Sequence, residues 1–283
     1  MVSTLSLGLL TLVPLLLALP FLLDRLLAKE FRVHSSGVVV VTGASTGIGR
    51  HAAQFLASRG YTVLAGVRKQ SDFDEIEAGR REGRSPNMRA LFLDVTSSDS
   101  ITAAVDEVTR LLDSSGLPLV ALVNNAGVGS FLVPLELLPT EEMRHVMNVN
   151  FFGALETSRA FIPLLRQHQG RVIMISSAAG KICMPGFSSY CATKFALEGM
   201  SDSLRLELGP LGVSVSVVEP GFIRTPIMES VNNRVDSRPE SSIEWYRTFV
   251  SGGTVMVLVV ETLKSTLHSM LLRWDSMSVP PLR

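Results

Sequence analysis

A tyrosine and a lysine that could exchange protons stand four residues apart, and a serine precedes them. Tyr190 and Lys194 close the run Ser189-Tyr190-Cys191-Ala192-Thr193-Lys194, and Ser177 lies thirteen residues before the tyrosine. On a helix, residues four apart share one face. A positive charge beside a phenol favours the phenolate and lowers its pKa from about 10, which would give a general acid/base near neutral pH. Tyr-x-x-x-Lys alone is commonly a surface pair, so its meaning depends on the surrounding elements.

A glycine-rich loop forms the second candidate site. Thr42-Gly43-Ala44-Ser45-Thr46-Gly47-Ile48-Gly49 follows the β-branched run 38–41 and precedes a predicted helix. Glycines in this position allow a tight turn and a close approach of the backbone to a pyrophosphate, and the helix N-terminus attracts its negative charge. Because the loop lies between a strand and a helix, it predicts a dinucleotide site rather than a plain turn.

The order of the motifs resembles that of one enzyme family. The loop reads Gly-x-x-x-Gly-x-Gly instead of Gly-x-Gly-x-x-Gly, and this spacing is similar to that of the short-chain dehydrogenase/reductase family. Its further motifs follow in order as Asp94-Val95, Asn124-Asn125-Ala126-Gly127, Asn150-Phe151-Phe152-Gly153, Ser177 with Tyr190 and Lys194, and Pro220-Gly221 with Thr225. The resemblance covers residues 37 to about 228. It is nearest to the membrane-associated hydroxysteroid and retinol dehydrogenase branches and less close to 3-hydroxybutyrate dehydrogenase.

This resemblance implies a role for each of four residues. Tyr190 exchanges a proton with the carbonyl or alcohol oxygen, and Ser177 stabilises the charge that develops there. Lys194 lowers the pKa of the tyrosine and contacts the nicotinamide ribose, and Asn150 holds a water that relays protons to solvent. Ser176 is interpreted as structural, because adjacent strand residues face opposite sides and the family spacing selects Ser177. The implied cofactor-binding residues are Gly43, Ser45, Thr46, Gly47, Ile48, Gly49, Arg68, Asp94, Val95, Asn124, Ala126, Gly127, Tyr190, Lys194, Pro220, Gly221, Ile223 and Thr225.

The end of the second predicted strand bears on the choice of cofactor. An acidic residue there would bind the ribose 2′-hydroxyl of NAD, whereas arginine accommodates the 2′-phosphate of NADP. The strand ends Ala65-Gly66-Val67-Arg68-Lys69, so Arg68 stands where an acid would. Arginine matches a phosphate as a two-pronged donor. We therefore predict NADP(H), with NAD(H) possible if Arg68 and Lys69 are only solvated surface charges.

Strand and helix patterns alternate along the chain. Predicted strands cover 37–41, 61–67, 90–93, 119–123, 171–175 and 214–218, and predicted helices cover 48–59, 98–112, 140–165 with an interruption near Pro163, and about 190–208. Continuous apolar strands between helices indicate a parallel sheet that is covered on both faces. We expect an α/β fold with a doubly wound, Rossmann-type sheet, forming one catalytic core over residues 36–228.

The N-terminal segment is apolar enough to enter a membrane. Residues 2–23 carry no charge and are rich in leucine, and about 20 apolar residues suffice to span a bilayer. A cleaved signal peptide is the alternative, but no basic residue precedes the run. Pro14 and Pro20 could kink the helix or make it re-entrant. The basic flank after the run favours a retained anchor over residues 1–30, in the endoplasmic reticulum, with the catalytic domain in the cytosol.

The remaining features narrow the function by exclusion. The 283 residues carry 26 basic and 26 acidic side chains, with no strongly basic stretch, which argues against nucleic-acid binding. Cys183 and Cys191 are expected to be reduced thiols, and neither they nor the scattered histidines form a metal site. Residues 229–283 diverge from the family and are expected to form a substrate lid or extension. The apolar stretch 147–161 fits a homodimer or homotetramer interface, although a core-facing helix would look similar.

Three functions fit this sequence. The first is an NADP(H)-dependent oxidoreductase of lipophilic ketones, aldehydes and alcohols, such as steroids or retinoids, because a membrane anchor favours substrates that partition into lipid. The second is a reductase of 3-ketoacyl or 3-keto sphingoid chains, which would use the same four residues. The third is a cofactor-binding membrane protein without turnover, and the presence of both Tyr190 and Lys194 argues against it.

Overall fold

The fold is built on one parallel sheet. The computed structural model describes residues 34–129, 133–221, 223 and 225–227, together with Leu19. Its six strands are β1 (Val38–Val41), β2 (Thr62–Val67), β3 (Met88–Phe92), β4 (Leu119–Asn124), β5 (Arg171–Ile175) and β6 (Ser214–Val218). They pair in parallel in the order β3-β2-β1-β4-β5-β6. The sheet lies in the unit Ser35–Arg283, one of two into which the chain divides, and it confirms the predicted single-domain Rossmann-type fold.

Helices cover both faces of this sheet. The α-helices are α1 (Gly47–Ser58), α2 (Gln70–Arg81), α3 (Ser98–Ser115), α4 (Thr140–Met147), α5 (Gly153–His168) and α6 (Ser188–Leu208). Along β1, Val39 and Val41 pack with residues of α1 and α2, whereas Val38 and Val40 pack with residues of α3, α5 and α6. Alternate strand residues face opposite sides, so four consecutive valines are buried because both sides of β1 are covered. This explains the unbroken apolar run of the sequence.

The order of the strands creates a crevice at the carboxyl ends of β1 and β4, in the middle of the sheet. From β1 the chain builds outward through β2 to β3 and then returns to β4, on the other side of β1. The chain therefore leads from β1 to α1 on one face of the sheet and from β4 to α5 on the other face. In open α/β sheets, ligands bind in the crevice that such a reversal leaves at the carboxyl ends of the strands.

The predicted helix over 140–165 is interrupted at a different place from the one expected. A π-helical turn, Asn148–Phe152, separates α4 from α5, while Pro163 lies inside α5. The expectation of an interruption near Pro163 was therefore wrong. The π turn buries Val149 and the polar side chain of Asn150. Hydrogen bonds between Asn150 and neighbouring elements hold the irregular turn. The helix is therefore interrupted where Asn150 makes these bonds, and not at the proline.

Two predicted segments fall mostly outside this description. The expected anchor, residues 1–30, is described only at Leu19, and the expected C-terminal segment 229–283 is not described. Short 3₁₀ helices cover Leu135–Leu137, Ala178–Gly180 and Gly209–Leu211. Within the described residues, no helix combines the length and the hydropathy needed to cross a membrane.

Candidate active site

The loops that leave β1 and β4 are fastened to each other by hydrogen bonds. Thr42 Oγ1 accepts from the backbone N–H groups of Asn125 and Ala126 at 3.0 and 2.9 Å. Asn125 Nδ2 donates back to the carbonyl oxygens of Thr42 and Gly43 at 2.9 and 3.0 Å. The two backbones approach so closely that a Cβ on Gly43 would lie 2.7 Å from Ala126 Cα. Glycine is required there, and its φ of +62° adds a second reason.

The helix that follows this loop presents free donors. Thr46 precedes α1 and its side chain accepts no capping hydrogen bond, and the first turn of α1 contains no acidic residue. The first N–H groups of an α-helix have no partner within the helix, and the helix dipole favours an anion beside them. Gly47, with φ of +57°, lets the chain turn into this helix. These features fit a pyrophosphate of the predicted dinucleotide cofactor.

One cavity, of about 470 Å³, connects the loop to the tyrosine motif, and most of the predicted site residues line it. This volume is typical of small-molecule sites. The predicted residues in its lining are Gly43, Ser45, Thr46, Gly47, Ile48, Arg68, Asp94, Val95, Ala126, Gly127, Ser177, Tyr190, Lys194, Pro220, Gly221, Ile223 and Thr225. Three others, Gly49, Asn124 and Asn150, lie behind the lining.

Each of those three residues has a packing role. A Cβ on Gly49 would collide with the Asn125 side chain, so Gly49 allows α1 to approach the loop after β4. Asn124 is buried in the core, where its Nδ2 donates to Ser158 Oγ at 2.8 Å. The neighbouring residue Asn125 lines the cavity instead. The sequence motif contains both asparagines, and only the packing of β4 decides which of them faces the site.

Asn150 joins the two halves of the site from behind. Its Oδ1 accepts from the N–H of Val128 at 2.8 Å, and its Nδ2 donates to the Val128 carbonyl at 2.9 Å and to Thr193 Oγ1 at 3.2 Å. Val128 follows β4, and Thr193 precedes Lys194 on α6. The side chain of Asn150 is thus occupied in holding the loop against the helix, and its role in holding a water stays a prediction.

The acidic and basic side chains at one end of the cavity come from the ends of β2 and β3. Arg68, Lys69 and Asp72 line the cavity where β2 gives way to α2. Asp94 Oδ1 accepts from the backbone N–H and the hydroxyl of Thr96 at 2.9 and 2.7 Å. Burial alone would raise the pKa of Asp94, but the Thr96 hydrogen bonds and the nearby Arg68 charge outweigh it and lower the pKa. Asp94 is therefore a fixed negative charge beside Arg68.

At the opposite end, Tyr190 and Ser177 form a hydrogen-bonded pair. Tyr190 lies in the first turn of α6, and Ser177 lies just beyond β5. The two side chains share a hydrogen bond, and Ser177 Oγ also accepts from the N–H of Ala179 at 3.1 Å. The Oγ of Ser176 packs instead towards Gly180 and Glu198. The structure thus brings Ser177, and not the Ser176 hydroxyl, to the tyrosine.

The pKa of Tyr190 differs from the prediction. Burial raises it above the ordinary value, the hydrogen bond with Ser177 only partly offsets this, and the neighbouring Cys191 adds to the rise. Lys194 Nζ lies 5.5 Å from the centre of the Tyr190 ring and donates to the Ile175 carbonyl at 2.8 Å. Burial also lowers the pKa of Lys194 to about 8, against the opposing effect of Glu198. Burial therefore raises the pKa of Tyr190 instead of lowering it, and a lowering of that pKa by Lys194 stays a prediction.

The sequence did not reveal the apolar wall beside Tyr190. Ile182, Met184 and Phe187, from the loop between β5 and α6, line the cavity together with Ile227 and Val128. Met184, Tyr190 and Ile227 pack against a buried cluster of Ala179, Phe187 and Cys191. Both cysteines are free thiols. No periodicity marks this loop, so these residues become recognisable as a group only in the folded chain.

Comparisons with known proteins agree with this geometry. The model of a family described as short chain dehydrogenase matches residues 37–236. An uncharacterized oxidoreductase, YbbO, of Escherichia coli K12 is 38% identical over 71% of this chain and 71% of its own length. The rat mitochondrial D-beta-hydroxybutyrate dehydrogenase is 41% identical over 66% of this chain and 54% of its own length. Mouse retinol dehydrogenase 5 is 37% identical over 68% of this chain and 58% of its own length.

Solved structures share the fold as well. The crystal structure of a short-chain dehydrogenase from Streptomyces avermitilis superposes with a TM-score of 0.64 and 28% identity, covering 87% of this chain and 98% of the other. The structure of an alcohol dehydrogenase from the archaeon Thermococcus sibiricus, complexed with 5-hydroxy-NADP, superposes with a TM-score of 0.60 and 28% identity. The match covers 66% of this chain and 77% of the other. This chain spans little more than half the length of the hydroxybutyrate and retinol dehydrogenases. The family match over most of the chain shows that this protein is an oxidoreductase of the short-chain dehydrogenase family.

Proposed function

We propose that this protein interconverts lipophilic ketones or aldehydes and the corresponding alcohols, with NADP(H) as the preferred cofactor. The observation that carries the proposal is the hydrogen-bonded pair of Tyr190 and Ser177 beside Lys194, at one end of a cavity whose other end is the glycine loop. A bound nicotinamide supplies or accepts the hydride. The residues of the chain have to bind the substrate oxygen and move its proton.

Tyr190 suits the role of proton donor during carbonyl reduction. Because its pKa is raised, the phenol keeps its proton at neutral pH, which is the state that can protonate a developing alkoxide. Ser177 can hydrogen-bond the same oxygen and stabilise its negative charge. The ammonium of Lys194 lies beside the ring, where a positive charge favours the phenolate that remains after transfer. We assign these three residues as catalytic, and Asn150 as the residue that holds them in place.

The charges at the adenosine end support NADP(H). Arg68 and Lys69 line the cavity beside the first turn of α2, and a 2′-phosphate would be matched by the guanidinium fork. The uncapped N-terminus of α1 supplies donors for the pyrophosphate. Asp72 and Asp94 also line the cavity, and as hydrogen-bond acceptors they keep NAD(H) usable.

The apolar wall supports a lipophilic substrate. Ile182, Met184, Phe187 and Ile227 surround the side of the cavity next to Tyr190, and apolar side chains of this kind exclude water from a reacting carbonyl. Relatives named retinol dehydrogenase and 3beta-hydroxysteroid dehydrogenase favour a retinoid or steroid. The 41% identity to a D-beta-hydroxybutyrate dehydrogenase favours a 3-keto lipid as the second candidate.

The domain arrangement is part of the same proposal. Residues 1–30 form a membrane anchor, 36–228 the catalytic core and 229–283 a substrate lid or extension. The anchor places the enzyme at a membrane, the endoplasmic reticulum, with the core in the cytosol. Phe152 and Phe195 are 48% and 43% exposed, and this supports a homodimer or homotetramer through the surface around the π turn and α6.

A substrate panel tests the proposal. The membrane-bound full chain is assayed for NADPH and NADH oxidation with keto-steroids, retinal and 3-keto lipids, and Tyr190→Phe is the inactive control. We expect one lipid class to be reduced, faster with NADPH, and turnover to fall by at least about 100-fold in the variant while NADPH binding persists.

Tyr61→Phe is the matched control, because Tyr61 precedes β2 at the amino ends of the strands, packs partly buried against the core and lies outside the cavity lining. It should retain turnover. Full activity in Tyr190→Phe, or a preference for small water-soluble ketones over every lipid, would contradict the proposal.

A further inference from the structure

Glu198 is a buried acid one helical turn beyond Lys194. Tyr190, Lys194 and Glu198 are spaced four apart on α6, so the three side chains share one face of the helix. Glu198 is only 8% exposed. A buried carboxylate is costly unless hydrogen bonds and opposite charges compensate for the lost water. Its environment should therefore reveal what compensates for the burial.

The compensation is unequal between the two carboxylate oxygens. Oε2 forms an ion pair with Lys181 Nζ at 2.9 Å. Oε1 is buried and has no hydrogen-bond partner among the described residues. It faces Gly180, where an added Cβ would lie 3.1 Å from this oxygen. One oxygen of Glu198 is thus paired with a lysine at the surface, and the other is enclosed in the protein.

The other positive charge near this carboxylate is Lys194. The Lys194 ammonium is enclosed in the interior and donates a hydrogen bond to the Ile175 carbonyl at 2.8 Å. A cation enclosed in this way is destabilised unless an anion lies nearby. Glu198 is that anion, one turn away on the same helix.

We propose that Glu198 is a positioning residue of the reaction, which keeps the Lys194 ammonium charged and in place beside Tyr190. Glu198 does not touch the cavity, so it acts through Lys194. Lys181 holds the carboxylate from the solvent side and also lies 3.5 Å from Glu219, next to Pro220 of the cavity wall. The acid therefore connects the catalytic helix to both loops that border the nicotinamide end.

The electrostatics of Lys194 support this assignment. Burial lowers its pKa to about 8, and the field of Glu198 acts in the opposite direction. The other titratable groups in this region are Tyr190, whose ring centre is 5.5 Å from Lys194 Nζ, and Lys181 and Glu219, which lie on the far side of Glu198. Asn150 of the π turn, which is neutral, donates to Thr193, the residue before Lys194. Without the Glu198 charge, the ammonium would lose its proton at a lower pH.

The test is the pH profile of carbonyl reduction by the full chain. As pH rises, the rate falls when the Tyr190–Lys194 pair loses a proton, and the apparent pKa belongs to the pair. Removing a negative charge makes proton loss easier. In Glu198→Gln we therefore expect the midpoint of this alkaline decline in kcat to move down by about one pH unit.

Lys181→Met separates this role from simple stabilisation. It breaks the same ion pair but leaves the carboxylate, so the midpoint should stay or move up, although thermal stability falls in both variants. An unchanged midpoint in Glu198→Gln, or an equal downward movement in both variants, would overturn the inference. If Glu198→Gln does not fold, Glu198→Asp serves instead, because its carboxylate is drawn back by one methylene. Its midpoint should move down by less, and no movement would again overturn the inference.

The inference rests on the proposed function, and the Tyr190→Phe control distinguishes the two. Turnover that survives in Tyr190→Phe would overturn the proposed function and the role of Glu198 with it. Turnover that is lost in Tyr190→Phe, combined with an unmoved midpoint in Glu198→Gln, would overturn the role of Glu198 alone.

Discussion

Arg68 is the single side chain from which the cofactor preference is argued. It follows β2 directly and lines the cavity, and its charge helps to lower the pKa of Asp94. A charge-assisted contact to a 2′-phosphate contributes about 1.5–3 kcal/mol, which corresponds to roughly 10- to 100-fold in affinity. We expect Arg68→Asp to weaken NADPH binding by that factor and to leave NADH binding unchanged or improved, as measured by fluorescence titration with both cofactors.

Arg110→Asp provides the matched control for this substitution. Arg110 is an exposed residue of α3 outside the cavity lining, so the variant makes the same change in net charge without touching the site. Its NADPH affinity should equal that of the unmodified chain. Equal NADPH affinity in Arg68→Asp and the unmodified chain would show that Arg68 is only a solvated charge.

The residue types of the site were predictable, whereas their environments were not. The spacing of Tyr190 and Lys194 predicted that they share one helix face, the family resemblance implied that Ser177 joins them, and the structure brings the three together. The sequence could not predict that burial would raise the pKa of Tyr190, because the atoms that exclude water come from distant segments. The choice between Asn124 and Asn125 likewise depends on Ser158 of α5, which receives the Asn124 hydrogen bond.

At the scale of single elements, α1 and α6 contain glycines with opposite surroundings. Gly49 of α1 lies against Asn125 and the Gly43 carbonyl, and a Cβ there would collide with both. Gly199 of α6 has open space where a Cβ would be. Alanine in a helix is favoured over glycine by roughly 0.5–1 kcal/mol. The same substitution should therefore have opposite effects at the two positions.

We expect Gly199→Ala to raise the free energy of unfolding by about 0.5–1 kcal/mol without loss of activity. Gly49→Ala should lower it by roughly 1–3 kcal/mol, since overpacking displaces a buried side chain, and cofactor affinity should fall as the Asn125 bonds to the glycine loop are strained. Urea unfolding and NADPH titration measure both quantities. A Gly49→Ala protein that is as stable as Gly199→Ala would show that α1 can move away from the loop at little cost.

The elements themselves follow from the sequence more closely than their irregularities do. The six predicted strands appear in order, because a buried parallel strand produces a continuous apolar run that is visible without the fold. The π turn Asn148–Phe152 leaves no such trace. Its cause is the set of hydrogen bonds that Asn150 makes to Val128 and Thr193, which lie 22 and 43 residues away. In the sequence, Pro163 was the residue that indicated an interruption of the helix, yet α5 continues through it.

For the whole molecule, the cavity explains why the substrate class is harder to predict than the reaction. The residues predicted to meet the cofactor belong to motifs that the sequence shows at the ends of strands. The apolar wall comes from the loop around Ile182, Met184 and Phe187 and from Ile227, which are brought together only by folding. Such a wall favours a lipophilic substrate, and a lipophilic substrate is most concentrated in a membrane. The location of the enzyme therefore bears directly on its function.

The membrane proposal for residues 1–30 is tested by adding charge to the apolar run. Arginine at the centre of a spanning helix costs roughly 2.5–3.5 kcal/mol per residue, so Leu12→Arg combined with Leu16→Arg should release the protein into the supernatant of an alkaline carbonate wash. Leu12→Ile with Leu16→Ile keeps the run apolar and should remain in the membrane pellet, as should the unmodified chain.

The mass of the protein recovered from cells separates an anchor from a signal peptide. A retained anchor leaves residues 1–30 in the mature chain, whereas a cleaved signal peptide removes the apolar run and leaves a shorter, washable protein. If the anchor is retained, reduction of lipophilic carbonyls presented in vesicles should be faster for the unmodified chain than for the double arginine variant. Reduction of a small soluble ketone should be equal for both, because the described core begins beyond the anchor. Equal rates on both kinds of substrate would mean that the segment localises the enzyme without delivering its substrate.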